Sequence, residues 1–406
     1  MQIRLLCGII LLLLIIVSWK WDWDVDNRLT NEWTSITVKS LAKAVPPKKV
    51  EWVRDDAWFD IQLQKGCCPF AKQMYSNRYS KVEYRCCTTR AAEGKIEPLR
   101  AVGGLDYSHF PTSKPLKVLI QGDSLAEQHF LGMICHAWYS NGLKIQLEQL
   151  AGIKNEFDDG TLWQADIFRS IHGERMSKID DKNNNTNNNS NTYKSGEGDD
   201  QLIMSIQFLR CNKPGAANIT KLHPLNDKNK TNGSIFRSPD FYVVGGWHHG
   251  GTSEPNIEKF LDQAYIRSEA RQKEKDETII QSSRIIVVNA LPNHFPGGKY
   301  RNDPSKYPTA KREDDKVYNN NDEVCDKNNF QGDPNINENL SAIAKKRTNN
   351  ILLLQVSELY HRRGDAHIGQ TPPGVVGPVG RDCLHFCIAP GVMDALTKMT
   401  LAAFVE

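Results

Sequence analysis

The chain has 406 residues, of which 24% are charged and 39% hydrophobic. That is enough for one large domain or two ordinary ones with a real core. The 51 basic and 48 acidic residues nearly cancel, leaving a net charge of +3. With no basic patch interleaved with aromatics, this balance gives a nucleic-acid partner no footing.

Residues 1–20 carry the first strong signal. Leu5 to Trp19 is nearly all apolar and is flanked by Arg4 and Lys20. The run is short against the roughly 20 residues of a usual span, and it also suits the core of a cleaved signal peptide. No small-x-small cleavage site follows it. Arg4 precedes the run, whereas Asp22, Asp24 and Asp26 follow it. The positive-inside tendency then leaves the N-terminus in the cytosol and the rest across the membrane. We read residues 1–20 as a cytosolic tip and uncleaved signal anchor, and 21–60 as a stem punctuated by Pro46-Pro47 and Lys48-Lys49.

Residues 61–115 form a cysteine-rich segment with the doublets Cys67-Cys68 and Cys86-Cys87. Beyond Cys7 in the apolar run, the chain also holds Cys135, Cys211, Cys325, Cys383 and Cys387. In an oxidising compartment most of these pair, and the odd count leaves one over. The doublets are expected to tie their segment to itself or to the main body. Sequons at Asn184, Asn188, Asn218, Asn229, Asn232 and Asn339 agree with a luminal or extracellular body.

Residues 116–406 read as the main domain. Apolar strand candidates recur at 118–120, 145–150, 202–209, 241–244, 285–288 and 351–356. Helical stripes lie between some of them, one after Ser124 and others over 257–280, 336–347 and 392–403. Short strands alternating with helices predict a parallel sheet in an α/β domain, with the active site at the strands' carboxyl ends. The Asn-rich tract at about 174–200 is expected to be a disordered insertion, and about 299–334 a polar loop held by Cys325.

The chemistry starts where the strand at Val118 runs into Gly122-Asp123-Ser124 and a helix. A serine there points into a cleft, and its amide is one of the free N–H groups of a helix start. Ser124-Leu125-Ala126-Glu127 also fits a capping box. A nucleophilic serine needs a base and an orienting acceptor. Asp382 and His385 suit those roles, three residues apart, on one face of a helical turn. Cys383 and Cys387 flank His385 within the same block, so disulfides would fix the imidazole, and a zinc site made from the same residues is the weaker reading. Asp365-Ala366-His367 is a rival pair. Gly245-Gly246-Trp247-His248-His249 follows another strand and is positioned to complete an oxyanion hole. Asn289 to His294 follows a third.

These blocks together resemble the PC-esterase family, the trichome-birefringence-like group of SGNH/GDSL-type proteins. Gly122-Asp123-Ser124-Leu125 is similar to its GDS block. Asp382-Cys383-Leu384-His385-Phe386-Cys387 is similar to its Asp-Cys-x-His-Trp-Cys block, with Phe386 for the usual Trp and Ala389 as one extra residue before Pro390-Gly391. Pro292-Asn293-His294-Phe295 matches its Pro-x-His-Phe stretch, and Arg363-Gly364-Asp365-Ala366-His367 its Arg-x-Asp-x-His stretch. In the block from Asp240 to His248, Gly245 stands where the family has an oxyanion-binding Asn, and Trp247 where it has Gly. An unreplaced loss of that Asn costs about 3 kcal/mol of transition-state stabilisation. The resemblance runs from about Cys67 to the C-terminus, without the two polar insertions.

It implies an SGNH-hydrolase-like parallel sheet flanked by helices, behind a disulfide-rich leading segment. It implies a Golgi enzyme, single-pass type II with its catalytic domain in the lumen. Ser124 is the nucleophile, His385 the base and Asp382 its orienter. Gly122, Asp123, Gly245, Gly246, His248 and His294 are the expected oxyanion and substrate-binding residues. The implied activity is O-acetyl transfer to a glycan or polysaccharide acceptor. No cofactor is bound, and acetyl-CoA or another acetylated carrier is the co-substrate. A carbohydrate esterase and a non-catalytic glycan-binding protein are the alternatives.

Overall fold

The structure is a computed structural model. It describes residues 49–75, 86–110, 114–140, 143–150, 162–170, 200–210, 239–247, 257–258, 261, 284–294, 325, 334–346, 351–370, 381–388 and 391–405. The expected anchor lies outside these residues, as do His248, Cys211 and most of both polar insertions; in the second, Cys325 is described. No helix among the described residues is long and apolar enough to cross a membrane.

The leading segment begins earlier than the expected end of the stem. Strand β1 (Glu51–Arg54) pairs antiparallel with β2 (Leu99–Val102). Between them run helices α1 (Asp56–Lys65), α2 (Pro69–Tyr75) and α3 (Thr88–Ala92). Asp55 caps α1, its carboxylate accepting from the Trp58 amide at 3.0 Å.

The main sheet has seven strands in the order β4-β5-β6-β3-β7-β8-β9. They are β3 (Leu116–Gly122), β4 (Leu143–Leu150), β5 (Leu162–Ser170), β6 (Asp200–Arg210), β7 (Phe241–Gly245), β8 (Arg284–Val288) and β9 (Ile351–Leu354). From β6 to β9 every pairing is parallel, as expected. The β4 and β5 edge corrects that expectation, because β5 runs antiparallel to β6 and β4 antiparallel to β5. Strand β5 was not legible as apolar alternation because polar residues sit in its middle. Their partners are across the strands: Gln207 donates to Gln164 at 2.8 Å, and Ser205 donates to Asp166.

Helix α4 (Ser124–Tyr139) follows β3 directly and is buried along its whole length from Ser124 to Ala137. Such a helix belongs in a core, and it lies against the last helix, α6 (Asp394–Ala403), on one face of the sheet. Helix α5 (Pro334–Lys346) packs Ile336, Leu340 and Ile343 on the other face with Ile257 and Leu261. Asn339 sits half-buried within α5. A two-stranded ribbon stands apart from the main sheet, β10 (His367–Gln370) with β11 (Arg381–Phe386).

Disulfides join these parts. Cys67 pairs with Cys86 inside the leading segment, Cys68 with Cys135 on α4, Cys87 with Cys387, and Cys325 with Cys383. The doublets therefore do both of the things expected of them. Each doublet makes one bond within its own segment and one to the main domain.

Candidate active site

Two consecutive residues at the end of β3 divide the work between them. Asp123, not Ser124, caps α4, its carboxylate accepting from the Leu125 amide at 2.8 Å. Glu127 closes no capping box; it takes Arg210 at 2.8 Å instead. This corrects the capping reading of Ser124 and has a chemical consequence. A hydroxyl used in the cap would be occupied, whereas that of Ser124 is free to face a base. Its amide still stands in the first turn of α4, where unpaired N–H groups and the helix dipole favour a negative oxygen.

The base arrives on β11, and the expected helical turn is a bulged strand. The ladder steps from His367↔Phe386 to Gly369↔Asp382, two residues along β10 but four along β11. The extra residues bulge outward and carry His385 with them, a common way to aim a side chain beside a site. Asp382 holds the bulge by mimicking a turn. Its Oδ1 accepts from the amides of Leu384 at 3.3 Å and His385 at 2.9 Å. Its Oδ2 lies 2.8 Å from His385 Nδ1. A carboxylate only accepts, so Nδ1 carries the proton and Nε2 is left as an acceptor. Ser124 Oγ lies 2.7 Å from that Nε2 and donates to it. Ser124, His385 and Asp382 are therefore joined in one hydrogen-bonded chain with the geometry of a Ser-His-Asp triad, made from two elements 261 residues apart.

The glycines expected in the oxyanion region serve a close approach of two strand ends. Gly122 and Gly245 are register partners. A Cβ on Gly122 would fall 1.9 Å from the Gly245 carbonyl oxygen. Gly246 takes φ +75°, and a Cβ there would fall 1.9 Å from Asp123 Oδ1 and 3.0 Å from the Asp123 amide nitrogen. The backbone of Gly246 therefore rests directly on the serine turn. A Cβ on Gly245 would instead meet Val288 at 3.4 Å. Trp247 is locked nearby, its Nε1–H donating to the Val288 carbonyl at 2.8 Å.

His294, expected among the substrate-binding residues, sits inside the protein. It is fully buried, with Nδ1 2.6 Å from His367 Nε2 and Nε2 2.8 Å from the His361 carbonyl. Both ring nitrogens face protein groups. The rival pair is not the base either. Asp365 accepts from the Glu97 amide at 2.8 Å, and His367 Nδ1 lies 3.1 Å from the His385 carbonyl. Burial, with His294 alongside, pushes His367 well below the usual imidazole range. Cys383 and Cys387 are in disulfides, which removes the zinc reading of that block.

One buried polar side chain beside the triad escaped the sequence reading. Gln128, one turn after Ser124, is fully buried and bonded to the backbone of Phe386 on β11. The only sequence signal is its place four residues after the serine.

A cavity of about 420 Å³ opens at the opposite end of α4, lined by His136, Asp106, Asp394, Lys398, Arg100 and Trp58 among others. None of the triad lines it. His136 lies 3.0 Å from Asp394 and 3.1 Å from Asp106, and Lys398 reaches Asp106 at 2.6 Å. Burial opposes the charged imidazole, but the two carboxylates outweigh it and raise His136 to about 9. This network joins α4, α6 and the leading segment.

Residues 220–403 match the family model described as PC-Esterase, the GDSL/SGNH-like acyl-esterase family found in Pmr5 and Cas1p. The matched span contains Asp382 and His385; Ser124 lies before it, and the geometry joins the two. No curated protein and no solved structure matches the chain.

Proposed function

We propose, for a chain whose residues 220–403 are a PC-esterase domain, that it is a luminal O-acyltransferase, specifically an O-acetyltransferase of polysaccharide or glycoprotein glycans. Activity of the acyl-esterase or acyltransferase type follows from the family. The observation that carries the reading is the 2.7 Å contact between Ser124 Oγ and His385 Nε2, with Asp382 on the other ring nitrogen.

The chemistry follows from that relay. Ser124 gives its proton to His385 Nε2 as its oxygen attacks the acetyl carbonyl. Asp382 steadies the imidazolium that forms. The tetrahedral oxyanion develops at the start of α4, where the Ser124 amide is one proposed donor and the Gly246 amide the second. His385 then protonates the leaving group, leaving acetyl-Ser124. In the second half a sugar hydroxyl passes its proton to His385 and attacks the ester. Collapse returns the proton to Ser124. The acetyl donor, acetyl-CoA or another acetylated carrier, enters as co-substrate. Four disulfides support an oxidising compartment, and with the N-terminal apolar run they support a Golgi type II placement. Hydrolysis, with water as the acceptor, is the second reading, favoured by the family's acyl-esterase description.

A labelled acetyl donor with candidate glycans tests this. Acetylated glycan supports transfer, and free acetate alone shifts the assignment to an esterase. A serine-directed fluorophosphonate tests the nucleophile: labelling that disappears in Ser124→Ala is expected. Absence of labelling in the wild type sinks the catalytic reading and leaves a glycan-binding protein.

A further inference from the structure

We infer that Gln128 is a positioning residue that sets the distance between the nucleophile and its base. The inference rests on the Ser124–His385 reading and adds to it a residue that touches neither substrate nor reacting atoms.

Gln128 stands four residues after Ser124 on α4, so both side chains leave the same helix face. Its Nε2–H donates to the Phe386 carbonyl at 2.5 Å, and its Oε1 accepts from the Phe386 N–H at 3.1 Å. Within a strand, one residue's N–H and C=O point the same way, and a neighbouring strand normally exchanges two bonds with them. Here a side-chain amide takes that place. It ties the residue directly after His385 to the helix that carries Ser124. Other anchors of this stretch run elsewhere: Cys387 donates to the Ala366 carbonyl at 2.8 Å and is cross-linked to Cys87.

The chemistry of the amide fits this role closely. A primary amide offers a donor and an acceptor side by side without charge at any pH. A glutamate loses the donor and buries a carboxylate. A methionine fills a similar volume and makes neither bond. An asparagine keeps the amide but falls one methylene short. Gln128 is completely buried, so water cannot replace the lost partners of Phe386. The bulge that carries His385 is then free to drift from Ser124, and a displacement near 1 Å costs roughly a hundredfold in rate.

The experiment compares wild type, Gln128→Met and Gln128→Asn by fluorophosphonate labelling rate, by kcat and KM for p-nitrophenyl acetate, and by fraction folded from circular dichroism. Leu401→Ala, a buried site on α6, serves as a destabilised control. Both Gln128 variants are expected to lose about 10- to 100-fold in labelling rate and kcat, with KM within about threefold. The control is expected to lose labelling only in proportion to its unfolded fraction. The inference is overturned if a folded Gln128 variant labels like wild type. It is also overturned if the loss only tracks the unfolded fraction, as in the control. Should Gln128→Met not fold, Gln128→Asn carries the comparison. A wild type that does not label refutes the nucleophile itself, a different outcome from wild-type labelling that is unaffected by Gln128.

Discussion

Replacing Gly246 with alanine perturbs the serine turn without touching the triad. The new Cβ would lie 1.9 Å from Asp123 Oδ1 and 2.5 Å from its Cγ, where ordinary contact begins at 3.4 Å. About 1.5 Å must therefore be yielded. Asp123 is fully buried and its carboxylate is engaged as the α4 cap, so it has nowhere to swing. Two costs add up. A left-handed φ for a residue with Cβ costs about 1–2 kcal/mol, and a displaced cap costs about 1 kcal/mol. The expected loss of stability is about 2–3 kcal/mol. Asp123 precedes Ser124 directly, so a shift of that size also moves the hydroxyl off the base, for roughly a hundredfold loss in labelling rate. Gly245→Ala is the matched comparison, because its Cβ would meet Val288 at an unstrained 3.4 Å. Urea unfolding and fluorophosphonate labelling read both effects. If Gly246→Ala and Gly245→Ala behave alike, Gly246 does not support the serine turn.

Three further outcomes follow from the geometry. Asp382→Asn keeps an oxygen for the Leu384 and His385 amides but no longer holds the Nδ1 proton, so kcat should drop by about 10⁴ while the midpoint of urea unfolding barely moves; a loss below tenfold would refute the orienting role. His367→Asn places an N–H where Nδ1 stood, toward the His385 carbonyl, whereas His367→Gln places one toward His294. The first should retain more labelling than the second, and the reverse order would show that the His294 contact matters more. His136 has its folded pKa raised from 6.5 to about 9, so its stabilisation is whole below pH 6.5 and is lost as pH rises through 9. That loss is on the order of 3 kcal/mol. Urea unfolding at pH 6 and pH 9.5 measures it, and a His136→Gln variant with the same pH dependence as wild type would assign the loss to other groups.

The sheet was legible because its central strands are buried on both sides. Runs such as Val118 to Ile120 and Ile285 to Val288 need no partner to be recognised. The edge was harder to read. In β5, Gln164 and Asp166 interrupt the apolar pattern, and their justification lies on β6, some 40 residues away in sequence. Local pattern carries no information about a partner at that distance. Disulfide pairing has the same limit, since the Cys87–Cys387 bond spans 300 residues.

At the site, sequence named the three residues that the structure brings into contact and misjudged how they are held. Asp382 and His385 are three apart, and that spacing serves a helical turn and a bulge closed by an aspartate equally well. What separates the two is whether the aspartate's oxygens go to backbone amides, and here Oδ1 takes two of them. Ser124 posed a similar ambiguity, because Asp123 and Ser124 are both strong N-cap residues. The cap went to Asp123, and that one-residue difference leaves the hydroxyl for His385. Gln128 left no such trace: a glutamine in a helical pattern reads as a solvated face until the helix is found to be buried all round. Its two bonds and the 2.7 Å contact made by Ser124 reach neighbouring residues of β11, one helical turn apart. The candidate triad is thus recognisable by its chemistry, while a side chain such as Gln128 that joins its two elements is an ordinary polar residue, identified only by what it touches.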